Sequence, residues 1–200
     1  MNILVDRLPR KVQVGGNPYT VRSNFRTFIL YELLWQDDTL SPGQKVMQSL
    51  ELCYPEIPRD PAGAAEALSW FYRCGREDRA AGRQGRAAGK GIRRIYSFEH
   101  DADYIYAAFL AQYGTDLQET EYMHWWKFRA LFNALTDQNE FVRIMGYRGI
   151  DLRDDMPEGQ RDFYRRMKEL YALPLPRDEE EKQAAIEEAL LNGGDLSGIL

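Results

Sequence analysis

Residues 103–135 read DYIYAAFLAQYGTDLQETEYMHWWKFRALFNAL, and the spacing of their apolar side chains sets the fold class. Tyr104, Ile105, Ala108, Phe109 and Tyr113 recur at three- and four-residue intervals, the mark of one buried helical face, and Gly114 follows as a stop signal. Trp125, Phe128, Leu131, Phe132 and Leu135 form a second such stripe. The pattern predicts two central helices, 103–113 and 119–135, as the core of a mainly α protein. Adjacent helical residues point about 100° apart. Trp125 therefore continues the core stripe, while Trp126 shares a neighbouring strip with Arg129 and Asn133. The tryptophan pair has two readings: burial of both sides of a central helix, which is the ordinary use of paired aromatics, or a partner-binding hot spot, where Trp and Arg are enriched.

Toward the N-terminus, residues 11–22 read KVQVGGNPYTVR. Two β-like runs, 11–14 and 19–22, flank Gly15-Gly16-Asn17-Pro18 and predict a hairpin with a loop longer than the tightest turns. Residues 3–5 supply material for a third strand. Helical spacing begins after Asn24, with Phe25, Phe28, Ile29 and Leu33 on one face. Ser41-Pro42-Gly43-Gln44 is a capping-box sequence opening a helix with Val46, Met47, Leu50 and Cys53. Asp60-Pro61 opens another that runs through Leu68, Phe71 and Tyr72 to Cys74, with Gly75 as its stop.

Residues 75–94 read GREDRAAGRQGRAAGKGIRR; seven basic side chains against two acidic ones give +5. Glycines at 82, 85, 89 and 91 and the absence of a large apolar residue before Ile92 predict a mobile basic loop. It lacks the interleaved aromatics that stack on nucleobases. Beyond the central helices, a shorter helix is expected over 138–146 and another from Pro157 carrying Phe163, Met167 and Leu170. Pro174 and Pro176 then break the chain. Over 178–195 seven acidic residues and one basic give −6, with Ala185, Ile186, Ala189 and Leu190 as a narrow apolar face. The expected organisation is one mainly helical domain, 1–174, with an N-terminal hairpin at about 11–22, a bundle of about seven helices, and an acidic C-terminal helix and tail, 175–200.

The composition suits a globular protein: 44% hydrophobic, 28% charged and 12% aromatic among 200 residues. The net charge of −5 argues against general nucleic-acid binding, which draws on cationic phosphate contacts. Cys53 and Cys74 belong to no CxxC pair and are expected as reduced, half-buried thiols. The first residues have no signal-peptide character, and no window is apolar enough to span a membrane.

For metal binding, Glu99, His100, Asp101 and Asp103, with His124, form only a loose cluster, and the carboxylates also suit the first turn of a helix. No Walker, G-x-G-x-x-G or G-x-S-x-G pattern is present, and neither cysteine shows a base beside it. These residues leave an enzyme possible but unsupported, and no cofactor, catalytic residue or small-molecule substrate is expected.

Several stretches resemble the gene-product-fifteen family of siphophages and prophages of Gram-positive hosts: NILVDRLP, FRTFILYELL, LSWFYRCG, YSFEHDADYIYAAFLAQYGTDL, MHWWKFRALFNAL, RIMGYRGIDL and EEALLNGG. They lie in order over most of the chain; residues 76–91 depart from the pattern. The resemblance implies a tail assembly chaperone of the host cytoplasm, absent from the mature virion. Such a protein binds the long helical tape measure protein, and itself or a longer frameshifted form. It carries over no catalytic residue. The candidate partner-binding residues are Trp125, Trp126 and Arg129 on the central helix and Ile186 and Leu190 on the acidic one. The segment 175–200 is expected to modulate client access or self-association. Rival readings are a head–tail connector and, with less support, a small enzyme or nucleic-acid-processing factor.

Overall fold

Helices supply nearly all the regular structure in the computed structural model of the chain, which describes residues 2–76 and 94–174. Strands β1 (Lys11–Val14) and β2 (Asn17–Thr20) form an antiparallel hairpin. Seven helices follow among the described residues: α1 (Phe25–Gln36), α2 (Pro42–Cys53), α3 (Pro61–Tyr72), α4 (Ala102–Tyr113), α5 (Trp125–Asn133), α6 (Glu140–Gly149) and α7 (Glu158–Leu170). The fold is mainly α, as the periodicity predicts. Residues 77–93 of the basic stretch and the acidic segment from 175 lie outside the described residues.

The hairpin turn is tighter than the sequence suggests. Only Gly15 and Gly16 form it, at φ +55° and +80°, so both centres are left-handed, as a type I′ turn requires. Asn17 and Pro18 belong to β2, Pro18 opposite Gln13. A two-stranded ribbon leaves open edges on which the missing proline N–H costs nothing. Val12 and Val14 point from β1 into the core against α3, while Lys11 and Gln13 face solvent. Residues 3–5 form no third strand. They sit in a turn held by Val5 N and Asp6 N donating to Asn2 O, and Leu4 and Val5 are exposed.

The caps fall where the sequence places them. Ser41 and Gln44 close a capping box on α2, and Asp60 accepts from Gly63 N at the start of α3. The core is an aromatic column. Phe128 of α5 lies between Phe25 of α1 and Phe109 of α4, with ring centroids 5.0 Å away on both sides and planes within 16° and 8° of its own. Phe28 extends the column to Trp125 at 5.5 Å and to Phe71 of α3 at 5.1 Å. Each such side chain contributes about 1.5–3 kcal/mol of hydrophobic burial. Cys53 is fully buried among them rather than half-buried, and burial pushes its thiol up to about 12.

The second central helix is shorter than the sequence predicts: it spans Trp125–Asn133, not 119–135. The preceding segment gives its carbonyls to α1. Arg26 donates to the carbonyl oxygens of Thr120 and Leu117 (2.7 and 2.6 Å), Asn24 Nδ2 to that of Glu121 and Phe25 N to that of Met123. Carbonyls turned sideways toward another element are not aligned along a helix axis to accept i+4 amides. In return Trp125 N donates to Ser23 O at 2.8 Å, so the starts of α1 and α5 are joined like a short antiparallel ladder.

On the far side, α4 and α7 both pack on α6. Asp101, expected merely to favour the start of α4, is instead buried and paired with Arg148 of α6. Helix α7 is peripheral: it has no buried residue, Phe163 meets Tyr147 edge-on at 6.0 Å, and Leu170 is exposed. No helix among the described residues is long and apolar enough to cross a membrane.

Candidate binding site

The site begins at the contact between the end of α3 and the start of α5. A helix ends with carbonyls that have no helical partner. Here two indoles reach them: Trp125 Nε1 donates to Tyr72 O at 2.9 Å and Trp126 Nε1 to Phe71 O at 2.8 Å. Both tryptophans are buried. His124 starts α5, its Nδ1 accepting from Trp126 N at 3.0 Å, which leaves Nε2–H to donate to Pro9 O at 2.8 Å. Burial lowers the His124 pKa, in keeping with this neutral, two-sided arrangement.

After α3 the backbone turns sharply across Trp126. Cys74 and Gly75 both have positive φ, +58° and +69°. A Cβ at Gly75 would lie 2.9 Å from Trp126 and 3.1 Å from Trp70, so only glycine allows this approach. The turn delivers Arg73, Cys74 and Arg76 to the rim of a cleft of about 450 Å³, whose other wall is α5 with Trp126, Arg129 and Asn133; Ile3 closes one end. Among the described residues, its lining includes three arginines and no carboxylate.

Behind the cleft lies a polar network inside the aromatic core. Glu32, buried on α1, accepts from Tyr72 Oη at 2.5 Å and from Tyr96 Oη at 3.4 Å. Arg129 Nη1 donates to Tyr96 Oη at 3.2 Å, and its guanidinium lies 5.4 Å from the Trp125 ring and 5.6 Å from Phe132. Burial works against the Arg129 charge, but Tyr96, Tyr72 and Glu32 outweigh it and raise its pKa. Burial likewise raises the Tyr72 hydroxyl, reinforced by Glu32. Arg129 is thus rigidly held with one side toward the cleft. The Cys74 thiol is pushed up by burial, with Arg129 and Arg76 opposing in part, so it lacks the depressed pKa of an activated nucleophile.

A second concavity, of about 940 Å³, runs along the outer row of α1. Leu30, Leu33 and Leu34 supply its apolar lining, beside the polar or charged Gln36, Asp37, Asp38, Thr39, Arg94, Glu99 and His100, and Pro174 also borders it. Leu30 is 51% exposed.

The structure brings Trp125, Trp126 and Arg129 together at the arginine cleft; Trp125 lies wholly beneath it, Trp126 forms its floor and Arg129 its wall. Ile186 and Leu190 lie outside the described residues. Among the described residues no three His, Cys, Asp or Glu side chains converge as a metal site. Asp101 is engaged with Arg148, and His124 with Pro9 and Trp126. Sequence reading missed the leucine groove and the Glu32–Tyr72–Tyr96–Arg129 network. Leu30 with Leu33 and Leu34 was a visible i, i+3, i+4 signal; the network joins residues up to 97 positions apart and left none.

No curated protein and no solved structure matches the chain. The model of one family, described as Bacteriophage Gp15 protein, matches residues 4–173, from the N-terminal turn to the end of the described body. The match stops before EEALLNGG at 187–194, which the sequence resemblance included. The chain belongs to the Bacteriophage Gp15 protein family.

Proposed function

We propose that the protein is a tail assembly chaperone, a binding protein rather than an enzyme, that keeps the tape measure protein soluble during tail morphogenesis. The observation that carries this reading is the leucine row on α1. Leu30, Leu33 and Leu34 follow one helical face in an open groove also lined by charged residues. That is the geometry of helix-in-groove recognition, in which an amphipathic client helix lays spaced apolar anchors into a hydrophobic trough. A tape measure protein, long, helical and apolar, presents such anchors repeatedly. The net charge of −5 supports solubility of the loaded complex. The host cytoplasm as site of action and absence from the finished particle follow from the same reading.

The test is co-expression with a fragment of a long helical tail protein encoded nearby, followed by pull-down and mass determination. A soluble complex with a client that is insoluble alone supports the proposal. An unbound, insoluble client, with the protein assembling instead into discrete rings, would favour a head–tail connector.

A further inference from the structure

The two edges of the hairpin are not equivalent. Residues of an antiparallel strand bond to their partner strand alternately. Pro18 has no N–H, so Gln13 and Pro18 face each other as a non-bonded pair, and Val21 N donates to Arg10 O at 2.9 Å. Arg10, Val12 and Val14 therefore bond toward β2, while the N–H and C=O groups of Lys11 and Gln13 point away from it. On the outer edge of β2, Pro18 offers no donor, and Arg22, in the same row, donates to Cys53 O at 2.8 Å. That edge is blocked against further pairing. The edge of β1 is not. Among the described residues no backbone or side-chain group bonds to Lys11 or Gln13 there, and both residues are exposed.

The N-terminal end of this edge runs into a cationic cleft. Arg7, Arg10 and Lys11 line about 770 Å³ of open space together with Leu8 and Tyr122. None of the three cations forms an ion pair with a described residue, and Asp6, the carboxylate nearest in sequence, accepts from Asn2 N at 2.7 Å. The Arg10 guanidinium is held 5.0 Å over the Tyr122 ring, whose hydroxyl is hydrogen-bonded to Ser23 Oγ at 2.9 Å. A cation positioned in this way loses little entropy when an anion arrives. The free strand edge and the unpaired cations meet at Lys11, which belongs to both.

The two faces of β1 specify the occupant. Lys11 and Gln13 face solvent, and Val12 and Val14 face the core. A strand added beside β1 places its side chains alternately on those faces, so acidic residues suit the Lys11 side and aliphatic ones the Val12 side. A second copy of β1 fits poorly. Antiparallel pairing about Val12 would bring both groups of Arg7, Arg10 and Lys11 into one interface, and like charges set opposite each other are destabilising.

We propose that the β1 edge and the cleft of Arg7, Arg10 and Lys11 form one docking site for an extended acidic segment of a partner protein, which adds to the hairpin as a third strand. The site makes no use of the α1 groove, so it stands or falls separately from the tape measure reading.

The test titrates the full chain with a short peptide of alternating glutamate and valine, and follows the backbone amides by NMR and hydrogen exchange. Saturable binding is expected, in which the Lys11 and Gln13 amides shift and gain protection. The Val12 and Val14 amides, already bonded to β2, stay protected throughout. A peptide with lysine in place of glutamate should not bind, and Lys11→Glu should weaken binding about tenfold. Gln13→Pro removes only an outward N–H and should abolish binding, with the Val12 and Val14 amides reporting that the hairpin persists. Should that variant unfold, Lys11→Glu and the lysine peptide still decide. Absence of binding, or binding that leaves the Lys11 and Gln13 amides unprotected, overturns the inference, as does tighter binding of oligothymidylate than of the peptide. Protection of these amides that rises with protein concentration in the absence of peptide also overturns it, and would assign the edge to a second copy.

Discussion

Asp101 and Arg148 form a two-point ion pair inside the protein, Nη1 to Oδ2 at 2.6 Å and Nη2 to Oδ1 at 2.9 Å, with side chains 1% and 8% exposed. Arg148 also donates from Nε to Tyr171 O and from Nη1 to Ile95 O, while Asp101 accepts from Ser97 N. One guanidinium thereby ties the approach to α4, helix α6 and the end of α7. Removing one member leaves the other buried and uncompensated, which costs about 3–5 kcal/mol. Arg148→Met is expected to lose that much in urea unfolding. Arg148→Met with Asp101→Leu should recover most of it, because no charge then remains buried. A double variant as unstable as the single one would contradict this account.

The His124 contacts predict a pH dependence. Burial lowers its pKa in the fold, so between the folded value and the ordinary one near 6.5 the unfolded chain binds more protons than the native one. The contribution is therefore fully present above about pH 6.5 and is lost as pH falls toward the folded value, by up to about 1.4 kcal/mol per pH unit. His124→Asn keeps a capping side chain and should flatten this slope in urea midpoints between pH 7 and 5. An unchanged slope would show that other groups carry it.

This histidine also illustrates where sequence reading stopped. Capping signals at Ser41 and Asp60 and the apolar spacing of α1, α4 and α5 were legible because they are local chemistry. The start of α5 was not. Histidine is an uncommon cap, and the segment before it is held out of the helix by Asn24 and Arg26, about 95 positions away. Pro18 misled for the opposite reason: it reads as a breaker, and only the open edge of a two-stranded ribbon admits it to β2. At the site, Trp126 and Arg129 were legible as neighbours on one helical strip. That the strip faces the turn at Cys74–Gly75 depends on tertiary packing, which no local pattern encodes.

Gly75→Ala tests that turn. The residue has φ +69°, and an added Cβ would sit 2.9 Å from the Trp126 ring. Strain of about 1–3 kcal/mol is expected from the backbone, with the displaced indole adding to it. Gly15→Ala has the same backbone penalty but meets nothing within 4 Å, and should cost only that, about 1–3 kcal/mol. Equal costs in thermal or urea unfolding would show that the approach to Trp126 is not tight.

Leu30→Asp separates the groove from the core most directly. Leu30 is 51% exposed on α1, so its replacement should cost about 1–2 kcal/mol from half a leucine's burial and the lower helix propensity of Asp, whereas Trp125→Ala should cost about 3–5 kcal/mol. The decisive measurement is the yield of soluble client when a tape measure fragment is co-expressed with wild type and with Leu30→Asp. A soluble complex is expected for wild type, and insoluble client beside a folded, soluble Leu30→Asp variant. Equal client solubility with both proteins would contradict the assignment of the α1 groove as the client site.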